Sequence, residues 1–168
     1  GWDFEKYRYF PGIYDSVELI LCDAPRIANV QCIPDIQAER VRLLVELHGG
    51  KKPVAAAVQA EIAEAAGGRV VAAGTAGGPD LAPGETCVLD LTLPIPDCRL
   101  WWPETPFLYE ARLATAGDSL TVRFGMRSFR FDPVTKRAVL NGQQRYLRGA
   151  NVTVYRFFED ALRGNKPW

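Results

Sequence analysis

The chain has 168 residues, which is enough for one β-sandwich with extensions and a hydrophobic core of its own. Its 20 basic residues balance 20 acidic ones, so the formal net charge is zero. This excludes the basic surface typical of nucleic-acid-binding proteins, and no apolar run approaches the ~20 residues of a membrane span. We therefore expect neither nucleic acid nor a membrane as a partner.

The first predicted element is a strand over residues 13–21, which follows the turn signal Phe10-Pro11-Gly12. The chain begins abruptly at Gly1-Trp2-Asp3 and ends abruptly at Pro167-Trp168, and neither end coincides with the boundary of a predicted element. We therefore expect it to be a piece of a longer protein. Residues 1–20 and 146–168 then lack partner strands and should behave as orphan ends, which are either mobile or ordered by strand pairing with another copy.

From residue 27 onwards, β-forming runs recur with Gly- and Pro-rich turns between them. The predicted strands are 27–33, 41–47, 54–62, 70–73, 85–93, 108–114 and 120–124. Such spacing predicts an all-β, immunoglobulin-like antiparallel β-sandwich of about seven strands over residues 25–131. Alternation with period two and the aromatic pattern place these side chains in the core: Val41, Leu43, Val45, Leu89, Leu91, Leu93 and Tyr109.

One segment carries two conflicting patterns. Residues 54–66 are alanine-rich and end at Gly67-Gly68, which favours a helix. Residues 58–62 also alternate with period two, and both neighbouring elements are strands. We predict a strand, because a lone helix would interrupt the sandwich.

The cysteines and the single histidine do not form a recognisable site. Cys22, Cys32, Cys87 and Cys98 make no disulfide framework in a chain of this length, so we expect free and mostly buried thiols. His48 lies beside Gly49-Gly50 in a predicted turn, without the convergent ligands that zinc requires. We expect no metal and no cofactor.

A run of aromatics and prolines, Leu100-Trp101-Trp102-Pro103-Glu104-Thr105-Pro106-Phe107-Leu108-Tyr109, precedes the sixth predicted strand. Prolines define a turn and aromatics cover the end of a core, so packing is the favoured interpretation. The alternative is that the adjacent tryptophans form a platform on which a sugar stacks.

The richest stretch follows the sandwich: Phe124-Gly125-Met126-Arg127, then Leu140-Asn141-Gly142, then Leu147-Arg148-Gly149-Ala150-Asn151. Asn-Gly between β-forming runs predicts a hairpin, because both residues tolerate the positive φ of a type I′ turn. A further extended run is predicted to follow and to stop at Gly149.

These three motifs, in this order and spacing, resemble the junction of glycoside hydrolase family 2, the β-galactosidase, β-glucuronidase and β-mannosidase group. Residues 12–19 resemble the segment that closes the sugar-binding jelly roll of that family, and residues 100–109 resemble a run in its immunoglobulin-like domain. The resemblance implies three parts: the end of a jelly roll at 1–24, the sandwich at 25–131, and a hairpin with the first strand of a truncated catalytic barrel at 132–168.

The same resemblance implies a parent enzyme that is a retaining β-glycosidase, with two catalytic glutamates beyond the end of this chain. No catalytic residue is therefore expected here, and the chain alone should be inactive. Barrel sites lie at the carboxyl ends of strands, so the substrate-binding rim that this piece contributes would consist of Asn151, Arg156 and Glu159. The segment after Asn151 lacks the histidine that many family members carry there, which leaves the sugar open.

The resemblance predicts a non-catalytic spacer domain whose partners are the rest of the parent chain, with carbohydrate bound only in the intact enzyme. The alternative is an independent carbohydrate-binding or adhesion module, because sandwiches host many functions. Free cysteines favour a reducing compartment, whereas bacterial relatives that act on polysaccharides are often periplasmic. The choice between bacterial cytoplasm and periplasm stays open.

Overall fold

The computed structural model describes residues 16–149. The chain divides into two compact units, one of which is Leu21–Tyr146. The other unit contains the described residues 16–20 and 147–149, which carry no regular secondary structure. The predicted domain boundaries after residues 24 and 131 stay predictions.

Ten strands form three antiparallel sheets in the described residues. The first sheet has the order β1-β2-β5, with β1 Arg26–Asp35, β2 Arg40–His48 and β5 Thr86–Pro94. The second has the order β4-β3-β6-β7, with β3 Ala57–Glu64, β4 Val70–Gly77, β6 Tyr109–Ala114 and β7 Ser119–Phe124. A small third sheet has the order β10-β9-β8, with β8 Phe129–Phe131, β9 Ala138–Leu140 and β10 Gln143–Arg145.

The core lies between the first two sheets and confirms the predicted seven-stranded sandwich. Along β2, the side chains of Val41, Leu43, Val45 and Leu47 are fully buried. The opposite sheet contributes Val58, Ala60, Ile62, Ala111 and Leu113. Leu89, Leu93 and Tyr109 are buried as predicted, and Leu91 is partly buried against the same cluster. Burial of these apolar side chains is the main force that holds the two sheets together.

The conflicting segment is a strand, as predicted. Residues 57–64 form β3, in which Val58, Ala60 and Ile62 point into the core while Ala57, Gln59 and Glu61 are exposed. β3 lies between β4 and β6, so both of its backbone edges are paired. Tertiary pairing therefore overrides the helix propensity of the alanines.

Two predicted extended runs do not form strands. Residues 16–21 of the predicted strand 13–21 carry no strand, and residues 13–15 lie outside the described part of the chain. Residues 146–149, which belong to the predicted extended run after β10, also form no strand. A β-strand exists only where its backbone groups pair with a neighbour, and a sequence pattern does not show whether that neighbour is present.

All four cysteines are free: Cys22 is exposed and the other three are partly buried. Burial raises the pKa of the Cys32 thiol to about 11, so this side chain stays protonated and unreactive at neutral pH. Among residues 16–149, no helix is long and apolar enough to cross a membrane.

Candidate functional site

The turn between β6 and β7 holds the segment through which the chain enters the sandwich. The Thr115 hydroxyl donates a hydrogen bond to the Pro25 carbonyl oxygen at 2.7 Å. A carboxylate oxygen of Asp118 accepts one from the Ile27 amide at 2.9 Å. The Asp23 amide donates to the carbonyl oxygen of Gly117 at 2.8 Å. We call this set the N-side clamp.

Gly117 lets the two backbones of the N-side clamp approach each other. A Cβ at this position would lie 2.5 Å from the carbonyl carbon of Asp23 and 2.5 Å from the oxygen of Ala24. Both are backbone atoms, which cannot rotate away as a side chain does. Any larger residue at position 117 would therefore push the turn off the incoming segment.

The opposite end of the sandwich holds the segment through which the chain leaves. Asn141 lies at the turn between β9 and β10, with a positive φ of 48° followed by 81° at Gly142, as the predicted type I′ hairpin requires. Its side chain accepts a hydrogen bond from the Ser128 amide at 2.8 Å and donates one to the Trp101 carbonyl oxygen at 3.0 Å. Its own amide donates to the Ser128 carbonyl oxygen at 2.9 Å.

Trp101 connects this turn to the Phe-Gly-x-Arg motif. The Trp101 amide donates to the Met126 carbonyl oxygen at 2.9 Å. A Cβ on Gly125 would lie 2.7 Å from Trp101 Cβ, so only glycine permits this approach. The Arg127 guanidinium lies 4.6 Å from the centre of the indole ring. Asn141, Trp101, Gly125 and Arg127 form what we call the C-side clamp.

Trp102 packs against the third sheet in the same way. The Arg145 guanidinium lies 4.9 Å from its ring centre and forms an ion pair with Glu104 at 2.9 Å. Trp101 and Trp102 are both partly buried, and each carries an arginine against its ring. This arrangement favours the packing interpretation over the sugar platform, because stacking on a sugar needs an open aromatic face.

The two clamps lie at opposite ends of the β6–β7 hairpin. The N-side clamp is its turn, and the C-side clamp follows Phe124, which pairs with Tyr109 at the far end of the hairpin. Six residues on each strand separate them, or about 20 Å at the usual rise per residue. The chain therefore enters at one end of the sandwich and leaves at the other.

The turn between β8 and β9 is ordered by one carboxylate. An oxygen of Asp132 accepts hydrogen bonds from the Thr135 amide at 2.7 Å, the Thr135 hydroxyl at 3.0 Å and the Val134 amide at 3.0 Å. The Thr135 amide and hydroxyl, together with Arg130 and Val134, lower the pKa of Asp132 to about 2, although desolvation opposes this shift. The charged form is the one that these donors stabilise.

We expect the Asp132 carboxyl to titrate near pH 2 in the folded protein. Because its pKa is depressed, its stabilising effect is present above the ordinary value near 3.8 and is lost as the pH falls towards 2. Thr135→Val removes the hydroxyl donor and should move the pKa back towards its ordinary value. Carbon-detected NMR of the Asp132 carboxyl measures its pKa in the wild-type protein and in the variant. An unchanged pKa in Thr135→Val would contradict the role of the Thr135 hydroxyl in lowering it.

His48 lies at the end of β2 between Arg26 at 3.3 Å and Glu46 at 2.9 Å, and residues 16–149 contain no metal-ligating group of three or more side chains. The predicted rim residues Asn151, Arg156 and Glu159 lie outside the described residues and stay predictions.

The family model for glycosyl hydrolases family 2 matches residues 26–127, which is more than half of the chain. The chain belongs to glycosyl hydrolases family 2. The match begins at β1 and ends at Arg127 of the C-side clamp. No curated protein sequence gave a significant match.

Solved family 2 structures share the fold. A β-glucuronidase from Bacteroides uniformis is 26% identical, with a TM-score of 0.55 over 71% of this chain and 15% of its own. A β-glucuronidase from Faecalibacterium prausnitzii is 23% identical, with a TM-score of 0.53 over 75% and 18%. A family 2 member from Bacteroides cellulosilyticus is 18% identical, with a TM-score of 0.54 over 74% and 18%. The chain thus spans less than a fifth of the length of each of these relatives.

The N-side clamp was missed from sequence, whereas the motif residues of the C-side clamp were singled out. Thr115-Ala116-Gly117-Asp118 has the composition of a turn, and Thr and Asp side chains there commonly bond to nearby backbone. That signal predicts a local turn. It does not show that Asp118 reaches a backbone amide 91 residues away.

Proposed function

We propose that this chain is the non-catalytic β-sandwich spacer of a family 2 glycoside hydrolase, whose full-length form hydrolyses β-glycosidic bonds by a retaining mechanism. The observation that carries the spacer role is the pair of clamps, which hold the incoming and outgoing segments at opposite ends of one packed core. Membership of family 2 carries the hydrolase role of the parent enzyme.

A spacer of this kind fixes, through its backbone, the relative orientation of the parts of the enzyme on either side of it. Bonds from side chain to backbone fasten the incoming and outgoing segments to the sandwich, which counters the relative motion that is the default between domains without a large hydrophobic interface. The parts of the parent enzyme on either side of the sandwich would then keep a constant separation and angle. Two of the solved relatives are β-glucuronidases, so β-glucuronides are the first substrates to test for the parent enzyme.

The test removes one side-chain anchor from each clamp of the full-length enzyme while leaving the core intact. In Asp118→Ala/Asn141→Ala, amide exchange at Ile27 and Ser128 should become at least tenfold faster, since both amides lose their acceptors. Small-angle scattering should show a broader distribution of distances, and kcat/KM should fall. The enzyme should remain folded, since each neutral hydrogen bond contributes only about 1 kcal/mol net and one to a charged group somewhat more.

The matched control is Arg42→Ala/Asp90→Ala, which removes an exposed ion pair on the outer face of the first sheet. An exposed pair contributes about 0–1 kcal/mol, so this variant should behave as wild type in all three measurements. If the clamp variant and the control are indistinguishable, the sandwich does not act as an orienting spacer.

A further inference from the structure

The turn between β9 and β10 carries a dipeptide that is chemically unstable in a free peptide. The backbone nitrogen of the residue after an asparagine can attack the side-chain carbonyl carbon, and glycine hinders this attack least because it has no side chain. Asn141 is followed by Gly142, whereas the other three asparagines of the chain are followed by valine or lysine. Asn141 is therefore the asparagine that is most prone to this reaction.

In the folded chain, the side chain of Asn141 is held at both of its polar atoms. Oδ1 accepts a hydrogen bond from the Ser128 amide at 2.8 Å, and Nδ2 donates one to the Trp101 carbonyl oxygen at 3.0 Å. To present its Cγ to the Gly142 nitrogen, the side chain has to rotate out of both hydrogen bonds. Space beyond the turn is not the obstacle, because a Cβ on Gly142 would meet no atom within 4 Å. The Ser128 amide also polarises the carbonyl that would be attacked, so the position of Cγ, rather than its reactivity, limits the reaction.

We propose that Asn141 is a deamidation site that the C-side clamp keeps closed in the folded protein. When the clamp opens, the Gly142 nitrogen forms a bond to Cγ of Asn141, the Cγ–Nδ2 bond breaks, and ammonia leaves with the amide proton of Gly142. Water then opens the resulting succinimide ring at either carbonyl carbon and yields aspartate or isoaspartate at position 141. The net reaction consumes water and releases ammonia, and nothing is oxidised or reduced.

The product of this reaction does not restore the C-side clamp. A carboxylate at position 141 has no hydrogen to donate to Trp101, and it places a charged oxygen opposite that carbonyl oxygen. Isoaspartate also adds a methylene group to the backbone of the two-residue turn, which disturbs the pairing of Leu140 with Gln143. A reversible opening of the clamp thereby becomes permanent.

The rate of deamidation in the wild-type chain provides the first test. The 168-residue chain is incubated at neutral pH in buffer and in concentrated guanidinium chloride. Mass spectrometry of the peptide that contains position 141 then follows asparagine, aspartate and isoaspartate. The reaction in buffer should be at least about tenfold slower, because only the fraction of chains with an open clamp reacts. Equal rates in the two solutions would overturn the proposal.

Three glycine substitutions separate opening of the C-side clamp from unfolding of the whole chain. Gly125→Ala would place a methyl group 2.7 Å from Trp101 Cβ, and it should speed the reaction in buffer at least about threefold. Gly117→Ala perturbs the opposite end of the sandwich and should keep the rate within about twofold of wild type, as should the control Gly77→Ala. If Gly117→Ala speeds the reaction as much as Gly125→Ala does, global unfolding releases the side chain and the proposal is overturned.

The effect of the product on the fold is the last test. Chains that have reacted in guanidinium chloride are refolded and separated by charge from the unreacted chains of the same incubation. The Tm of the reacted chains should be lower by at least about 3 °C, because the C-side clamp does not re-form. An equal Tm would overturn the claim that the reaction makes the opening permanent.

Discussion

Gly117→Ala should lower the free energy of unfolding of the 168-residue chain by about 3 kcal/mol, near the upper end of the range for overpacking. The added methyl group would sit 2.5 Å from backbone atoms of Asp23 and Ala24, so relief requires the incoming segment to move. That movement also strains the hydrogen bond that Thr115 donates to Pro25 and the one that Asp118 accepts from Ile27. Urea denaturation followed by circular dichroism measures the loss.

The same substitution at two other glycines provides a comparison for the loss of stability expected at Gly117. Gly125→Ala should also destabilise the chain, by about 1–3 kcal/mol, because the added methyl group would lie 2.7 Å from Trp101 Cβ, an atom that side-chain rotation does not move. At Gly77 the nearest atom to an added Cβ is 3.6 Å away, so Gly77→Ala should change stability by no more than about 0.5 kcal/mol. A Gly117→Ala variant as stable as Gly77→Ala would show that the N-side clamp is looser than the structure indicates.

The sandwich was predictable from sequence because its causes are local. Alternation along β2 identifies the buried residues from Val41 to Leu47 without knowledge of the partner sheet. Asn141-Gly142 identifies its hairpin because few residue pairs adopt two positive φ angles. The strand at 57–64 was also predicted, but only by considering its neighbours, since the alanines alone favour a helix.

The clamps were less predictable because their contacts join residues far apart in sequence. The bond between Asn141 and Trp101 spans 40 residues, and nothing in either local pattern indicates the partner. The same holds for Phe129 and Phe131, which alternate along β8 as core residues do but are exposed in the structure. Both the Asn141–Trp101 contact and the exposure of the two phenylalanines depend on how distant parts of the chain pack together.

The motif residues on which the resemblance to the family rests also have a definite physical role. Gly125, Arg127 and Asn141 all lie around Trp101, where they join the third sheet to the sandwich. A sequence motif in an enzyme family is often assumed to mark its chemistry. Here the described motif residues are explained by backbone approach, stacking and turn geometry, which fits the proposed spacer role.

The proposed function is tested most directly by turnover. The 168-residue chain and the full-length parent enzyme are assayed on aryl β-glucuronide, β-galactoside and β-mannoside substrates. The chain alone should show no turnover above a blank, because a retaining mechanism needs two carboxylates about 5–5.5 Å apart and binding cannot replace a missing nucleophile and general acid. The parent enzyme should hydrolyse at least one substrate, with retention of configuration. Turnover by the chain that disappears in Glu159→Ala or Asp160→Ala would contradict the spacer assignment, and turnover by neither protein would contradict the glycosidase assignment.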